Sequence, residues 1–263
     1  MNKTLILSCV LAMGVSACGT QVSQAKENAP AKHATEMEQT TQTIFKASDG
    51  ESVYSDFYAS AQGKEAPLIL LFHQAGANGR GEYANITPKL VAQGYNVLQV
   101  DQRSGGGSFG SQNRTVKARG KSTIYCPAYA DMEGALHYAT ENGYTKIFAW
   151  GSSYSAALSL KLAGEHGDSL AGALAFSPAS GKGMGACAAN QFISAIKIPT
   201  LGLRPSSEMR PPGQAQRELF IQQGLEYFVS EDGVHGSSML DPSRAKGDVK
   251  PTWDKVLAFL SAH

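Results

Sequence analysis

Short apolar runs alternate with longer stretches of helix-period polarity along most of this chain. The runs PLILLFH (67–73), YNVLQVD (95–101), KIFAW (146–150), GALAFSP (172–178), IPTLGL (198–203) and LEYFVS (225–230) have strand length. Several are continuously apolar, as strands are when a parallel sheet is covered on both faces. Between them, residues 82–93, 128–142, 154–166, 213–223 and 252–262 read as helices. Ahead of them, 42–47 and 52–60 alternate in polarity around Asp49-Gly50, a hairpin signal. Strands alternating with helices predict an α/β fold, a doubly wound and mostly parallel sheet with an antiparallel N-terminal hairpin. No internal repeat or composition break interrupts residues 42–263, so one domain is expected there. In such sheets ligands bind beyond the carboxyl ends of the strands, and the loops found there are the places to search for chemistry.

The first twenty residues, MNKTLILSCVLAMGVSACGT, follow another pattern. Lys3 precedes an apolar run from Leu5 to Val15, shorter than the ~20 residues needed to cross a bilayer. This is the pattern of a secretory signal. Val15-Ser16-Ala17-Cys18 resembles a bacterial lipobox. The resemblance implies a lipoprotein signal peptide at 1–17, a diacylglyceryl group on the Cys18 thiol, and acylation of the new amine after cleavage. Gly19, rather than Asp, follows the cysteine, which by resemblance to Gram-negative lipoprotein sorting implies the outer membrane. Several acyl chains make a firm anchor where one binds marginally. Cleavage by signal peptidase I after the same small residues, giving a soluble periplasmic or secreted protein, is the alternative. Residues 18–41 are rich in Ala, Gln, Thr, Lys and Glu without apolar periodicity, and read as a flexible tether.

Charge narrows the partners. With 23 Lys+Arg against 22 Asp+Glu the formal charge is +1, and loss of Lys3 with the signal brings it to zero. No basic field exists to attract nucleic acid. Of the four cysteines, Cys9 would leave with the signal and Cys18 become the anchor, so only Cys126 and Cys187 remain. In an oxidising envelope they are free to pair; two buried free thiols are the alternative. No ligand cluster surrounds either one, so no metal is expected, and no cofactor is implied.

The strand KIFAW runs into Gly151-Ser152-Ser153-Tyr154-Ser155-Ala156 and then a helix. This matches Gly-x-Ser-x-Gly with Ser155 in the last small position. On such a sharp turn Ser153 would project its hydroxyl as a nucleophile, whereas a plain helix cap by Ser152 or Ser153 is the alternative. A serine needs a base. His235, in the loop EDGVHG after the last strand, fits that place. His137 and His166 lie in helices, His263 ends the sequence, and His73 is expected to order its own loop.

With these residues in the order nucleophile, acid, histidine, the chain over 42–263 resembles the α/β-hydrolase fold. In members of that family an acidic residue follows Ile-Pro-Thr-Leu at a short distance, and the resemblance gives this role to Glu208, with Asp232 as rival. It also implies two oxyanion donors, the backbone N–H of Tyr154 after the nucleophile and that of Gln74 in the loop His73–Gly79. That loop resembles the His-Gly-Gly-Gly loop of esterases but has Gln74 at its second position. The dienelactone-hydrolase-like branch is most similar, because little sequence separates GALAFSP from the next strand and little or no cap is expected. That branch commonly uses cysteine where this chain has Ser153, so its lactone substrate is not carried over.

The long loop Gln102–Tyr125 carries Arg103, Arg114, Lys117, Arg119 and Lys121, which either select an anionic substrate or are solvated. Its Gly105-x-Gly107-x-x-Gly110 has the form of a dinucleotide fingerprint, but no helix opens at the third glycine and none is expected to bind there. The function expected is a lipid-anchored envelope serine hydrolase, a carboxylesterase acting on a small or exposed ester through an acyl-enzyme. A peptidase or amidase of the same fold, and a non-catalytic envelope lipoprotein, are the alternatives.

Overall fold

A computed structural model describes residues 40–263, and the apolar runs form one eight-stranded sheet within them. The signal, Cys18 and the tether up to residue 39 lie outside the described residues. The strands are β1 (Thr40–Lys46), β2 (Ser52–Tyr58), β3 (Leu68–Phe72), β4 (Asn96–Asp101), β5 (Ile147–Ser152), β6 (Gly172–Phe176), β7 (Thr200–Pro205) and β8 (Glu226–Ser230). Their order is β1-β2-β4-β3-β5-β6-β7-β8. The hairpin β1–β2 and the pair β2–β4 are antiparallel, and every later pair is parallel.

β3 lies between β4 and β5, with Leu70 opposite Leu98 on one side and Ala149 on the other. All five of its residues are buried. Leu68, Leu70 and Phe72 face one core, with helices α4 (Tyr129–Glu141), α5 (Tyr154–Glu165) and α6 (Pro211–Gln222). Ile69 and Leu71 face the other, with α2 (Thr87–Ala92) and α7 (Lys250–Ala262). Burial on both faces is why these strands are apolar throughout rather than alternating.

Two helical expectations need correction. The stretch 82–93 is two helices, α1 (Gly79–Glu82) and α2, with a turn between them and Pro88 in the first turn of α2. Proline lacks the N–H that a continuous helix would bond there and suits a new start instead. The long loop after β4 contains a helix, α3 (Arg114–Arg119). Asn113 caps it by accepting from Val116 N–H at 2.8 Å, and Gly120 closes it in the left-handed conformation. The hairpin also begins two residues earlier than 42, taking Thr40 and Thr41 from the expected tether.

Candidate active site

The turn after β5 is tight because its neighbours are small. A side chain at Gly151 would collide with the Ser155 carbonyl. The Ser155 hydroxyl accepts from Ser152 N–H at 2.8 Å and donates to the Phe72 carbonyl at 2.7 Å, tying the turn to β3. Ser153 sits between them at φ 61 and ψ −114, a region that non-glycine residues rarely enter. Its N–H donates to Phe176 O at 2.8 Å, and its carbonyl accepts from Ala179 N–H at 3.2 Å. Ser153 flanks α5 yet makes no capping hydrogen bond with its side chain. The cap reading is therefore corrected: the hydroxyl is left for other work.

The end of β7 and the loop after β8 meet here. Glu208 closes a single 3₁₀ turn, Ser206–Glu208, immediately after β7. Its Oε1 lies 2.5 Å from His235 Nδ1 and its Oε2 takes Arg204 Nη1 at 2.6 Å. Burial pushes the Glu208 carboxyl up, but hydrogen bonds from His235 and Ser177 and the charge of Arg204 outweigh it and hold it below its ordinary value. His235 is half exposed and Glu208 only 22% exposed, so the pair opens to solvent on the imidazole side. Asp232, the rival acid, instead accepts Asp248 N–H at 3.2 Å and shapes its own loop.

Two serines seat the histidine loop. Gly236 N–H donates to Ser177 Oγ at 3.0 Å, and Ser237 N–H donates to Ser152 Oγ at 2.9 Å. Ser177 follows β6 at φ 51, a second strained position beside Ser153. Neither Ser177 nor Arg204 was signalled by the sequence, because a serine and an arginine at strand ends are ordinary there.

The loop after β3 departs from expectation at its amides. Gln74 N–H donates to Glu82 Oε2 at 2.6 Å, so it is not free to meet an oxyanion. The next amide, Ala75 N–H, has no acceptor among the described residues. Tyr154 opens α5, so its N–H has no partner within the helix. His73 does order the loop: its Nδ1 meets Gln74 O at 2.9 Å while Nε2 accepts Gln102 N–H at 3.0 Å. Complete burial lowers its pKa and keeps the ring neutral, with hydrogen bonds opposing only in part.

Both readings of the basic loop are corrected for its arginines. Arg103 pairs with Asp49 and Asp131, Arg114 with Asp56 and Asp101, and Arg119 with Glu51. They staple the loop to the sheet and α4, leaving Lys117 and Lys121 exposed. Gly105 and Gly106 pack against the His73 and Gly76 loop, where side chains would collide. Cys126 and Cys187 are bonded, joining the turn before α4 to the segment after β6.

Residues 63–217, more than half of the chain, match the family model described as serine aminopeptidase, S33. The chain belongs to this hydrolase family, within the α/β-hydrolase class its sheet defines. No curated protein matches it in sequence. Among solved structures it is similar to an esterase of Pyrococcus furiosus, with TM-score 0.66 and 14% identity over 85% of this chain and 90% of that one. A carboxyl esterase of Bacillus coagulans gives TM-score 0.67 and 12% identity over 85% and 98%. A putative dienelactone hydrolase of Klebsiella pneumoniae gives TM-score 0.63 and 14% identity over 86% and 100%. At these identities the likeness establishes the fold.

Proposed function

We propose that this protein is a serine hydrolase that cleaves a small or exposed ester through an acyl-enzyme. The observation that carries the reading is the Glu208–His235 hydrogen bond at 2.5 Å, on loops that follow β7 and β8, with Ser237 of the histidine loop bonded to Ser152, the residue before the strained Ser153. In this reading Ser153 Oγ attacks the ester carbonyl as His235 takes its proton. Glu208 holds the imidazole in the tautomer that leaves Nε2 free to do so. The Tyr154 and Ala75 amides receive the oxyanion, a role worth ~3–4 kcal/mol per donor. His235 then protonates the departing alcohol, and a water repeats the sequence to free the acid. Cys18 carries the enzyme on the cell envelope, facing the periplasm or the surface of the outer membrane.

Ser153→Ala should abolish p-nitrophenyl acetate turnover and labelling by a fluorophosphonate. Unchanged labelling would place the nucleophile elsewhere. The family's aminopeptidase description favours amide cleavage as the second reading. A panel of matched esters and amides, run on wild type and Ser153→Ala, separates the two.

A further inference from the structure

Glu82 ends α1 and is completely buried, although it belongs to none of the roles above. A buried carboxyl is costly unless hydrogen bonds replace its water. Its partners all lead to the catalytic loops. Oε2 accepts Gln74 N–H at 2.6 Å, and Oε1 faces Gln74 Nε2 at 3.3 Å. The Ser152 hydroxyl accepts Ser237 N–H at 2.9 Å, and Ser152 Oγ, Gln74 Nε2 and Glu82 Oε1 all lie within 4 Å of where a side chain on Gly236 would begin. Gln74 is next to Ala75, Ser152 is next to Ser153, and Ser237 is two residues beyond His235. The nearby Arg244 does not spend its guanidinium on this carboxyl. It bonds the backbone carbonyls of Gly81 and Glu82 and pairs with Asp241.

We infer that Glu82 is a positioning residue, a buried hub that sets the oxyanion loop directly and the histidine loop through Ser152. By accepting the Gln74 amide it turns the loop so that the next amide, Ala75, is the one left open. With its Oε1 and the Ser152 hydroxyl both against Gly236, it keeps that hydroxyl where its lone pair meets Ser237 N–H. Three loops that are far apart in sequence are thus aligned by one side chain that never touches substrate.

The inference rests on the serine-hydrolase reading, and the test keeps the two apart. The full chain, Glu82→Gln and Ser152→Ala are titrated with a fluorophosphonate to count competent serines. The kcat and KM for p-nitrophenyl acetate are then measured per titrated site. A glutamine keeps the size of Glu82 but presents an N–H₂ where the site needs an acceptor. It should lower kcat per site by roughly 10- to 100-fold with KM within about twofold, since small misplacements of reacting groups cost that much. Ser152→Ala should lower kcat in the same way but less. A merely structural role would reduce the number of titrated sites and leave kcat per site unchanged, and that result overturns the inference. A rise in KM alone overturns it too. If Glu82→Gln does not melt cooperatively, Ser152→Ala decides, and wild-type kcat per site in that variant overturns the inference. Failure of wild type to label at all overturns the serine-hydrolase reading instead, and the inference falls with it.

Discussion

Ser177 and Ser153 stand on neighbouring strand ends, both with positive φ, at 51 and 61. Such backbone strain persists only where the surroundings hold it. For Ser177 they are the Gly236 amide it accepts and the Glu208 carboxyl it helps keep charged. Ser177→Ala retains the Cβ and removes the hydroxyl, so the histidine loop loses one of its two seats. We expect kcat to fall about tenfold while KM holds, from slight misplacement of the imidazole. An unchanged kcat would mean that Ser152 seats the loop alone. Glu82 also makes stability depend on pH. Burial pushes its carboxyl up from 4.5 to about 7, against the pull of Ser152, Gln74, Arg244 and His235. The native state therefore keeps a proton that the unfolded chain releases above 4.5. Its contribution to stability is fullest below that pH and is lost as pH rises toward 7. Urea unfolding of wild type between pH 5 and pH 7.5 should show this loss, and Glu82→Gln should flatten it. A slope unchanged in the variant would assign the effect to another group. The strained turn at Ser153 and the Glu208–His235 contact are legible in the sequence because all three residues follow strands, and loops after strands gather at one end of the sheet. The sequence points to the Gln74 amide as an oxyanion donor, since nothing in HQAGAN tells that Glu82, eight residues on, takes the Gln74 N–H. Glu82 itself reads as the polar side of a helix.

Elements that face both cores were the most legible, because double burial erases polarity from β3, β5 and β6. Helices were harder. α3 is short and half of it is basic, so its apolar stripe is too weak to register, although Asn113 and Gly120 bracket it as caps. Asn113 has a larger part than capping. Its Nδ2 donates to Gln102 O at 2.8 Å and lies 3.1 Å from His73 Nε2, inside the fold. Asn113→Ala removes a cap and orphans a buried carbonyl together. We expect a loss of about 2–4 kcal/mol of stability, read from urea midpoints at constant slope. A loss under about 1 kcal/mol would mean that water takes over those bonds.

At the scale of the molecule, two devices bind the long crossovers. One is the set of arginine pairs that fastens residues 102–125 to β2, β4 and α4. The other is the bridge between Cys126 and Cys187, which closes a separation of 61 residues. Replacing both cysteines with serine should lower the unfolding free energy by roughly 4 kcal/mol in the chain-entropy model. Equal urea midpoints for the variant and the oxidised wild type would refute this. Neither device was settled by the sequence, because ion pairing and cysteine pairing both depend on contacts between distant segments.

The strand order has a temporal consequence. Ser153 arrives with β5, Glu208 with β7, and His235 only after β8 has paired with β7 at the edge of the sheet. A nascent chain that stops before residue 226 has Ser153 but lacks His235. On the proposed roles, such a chain is silent toward esters, and hydrolytic competence appears with the last 38 of the 263 residues.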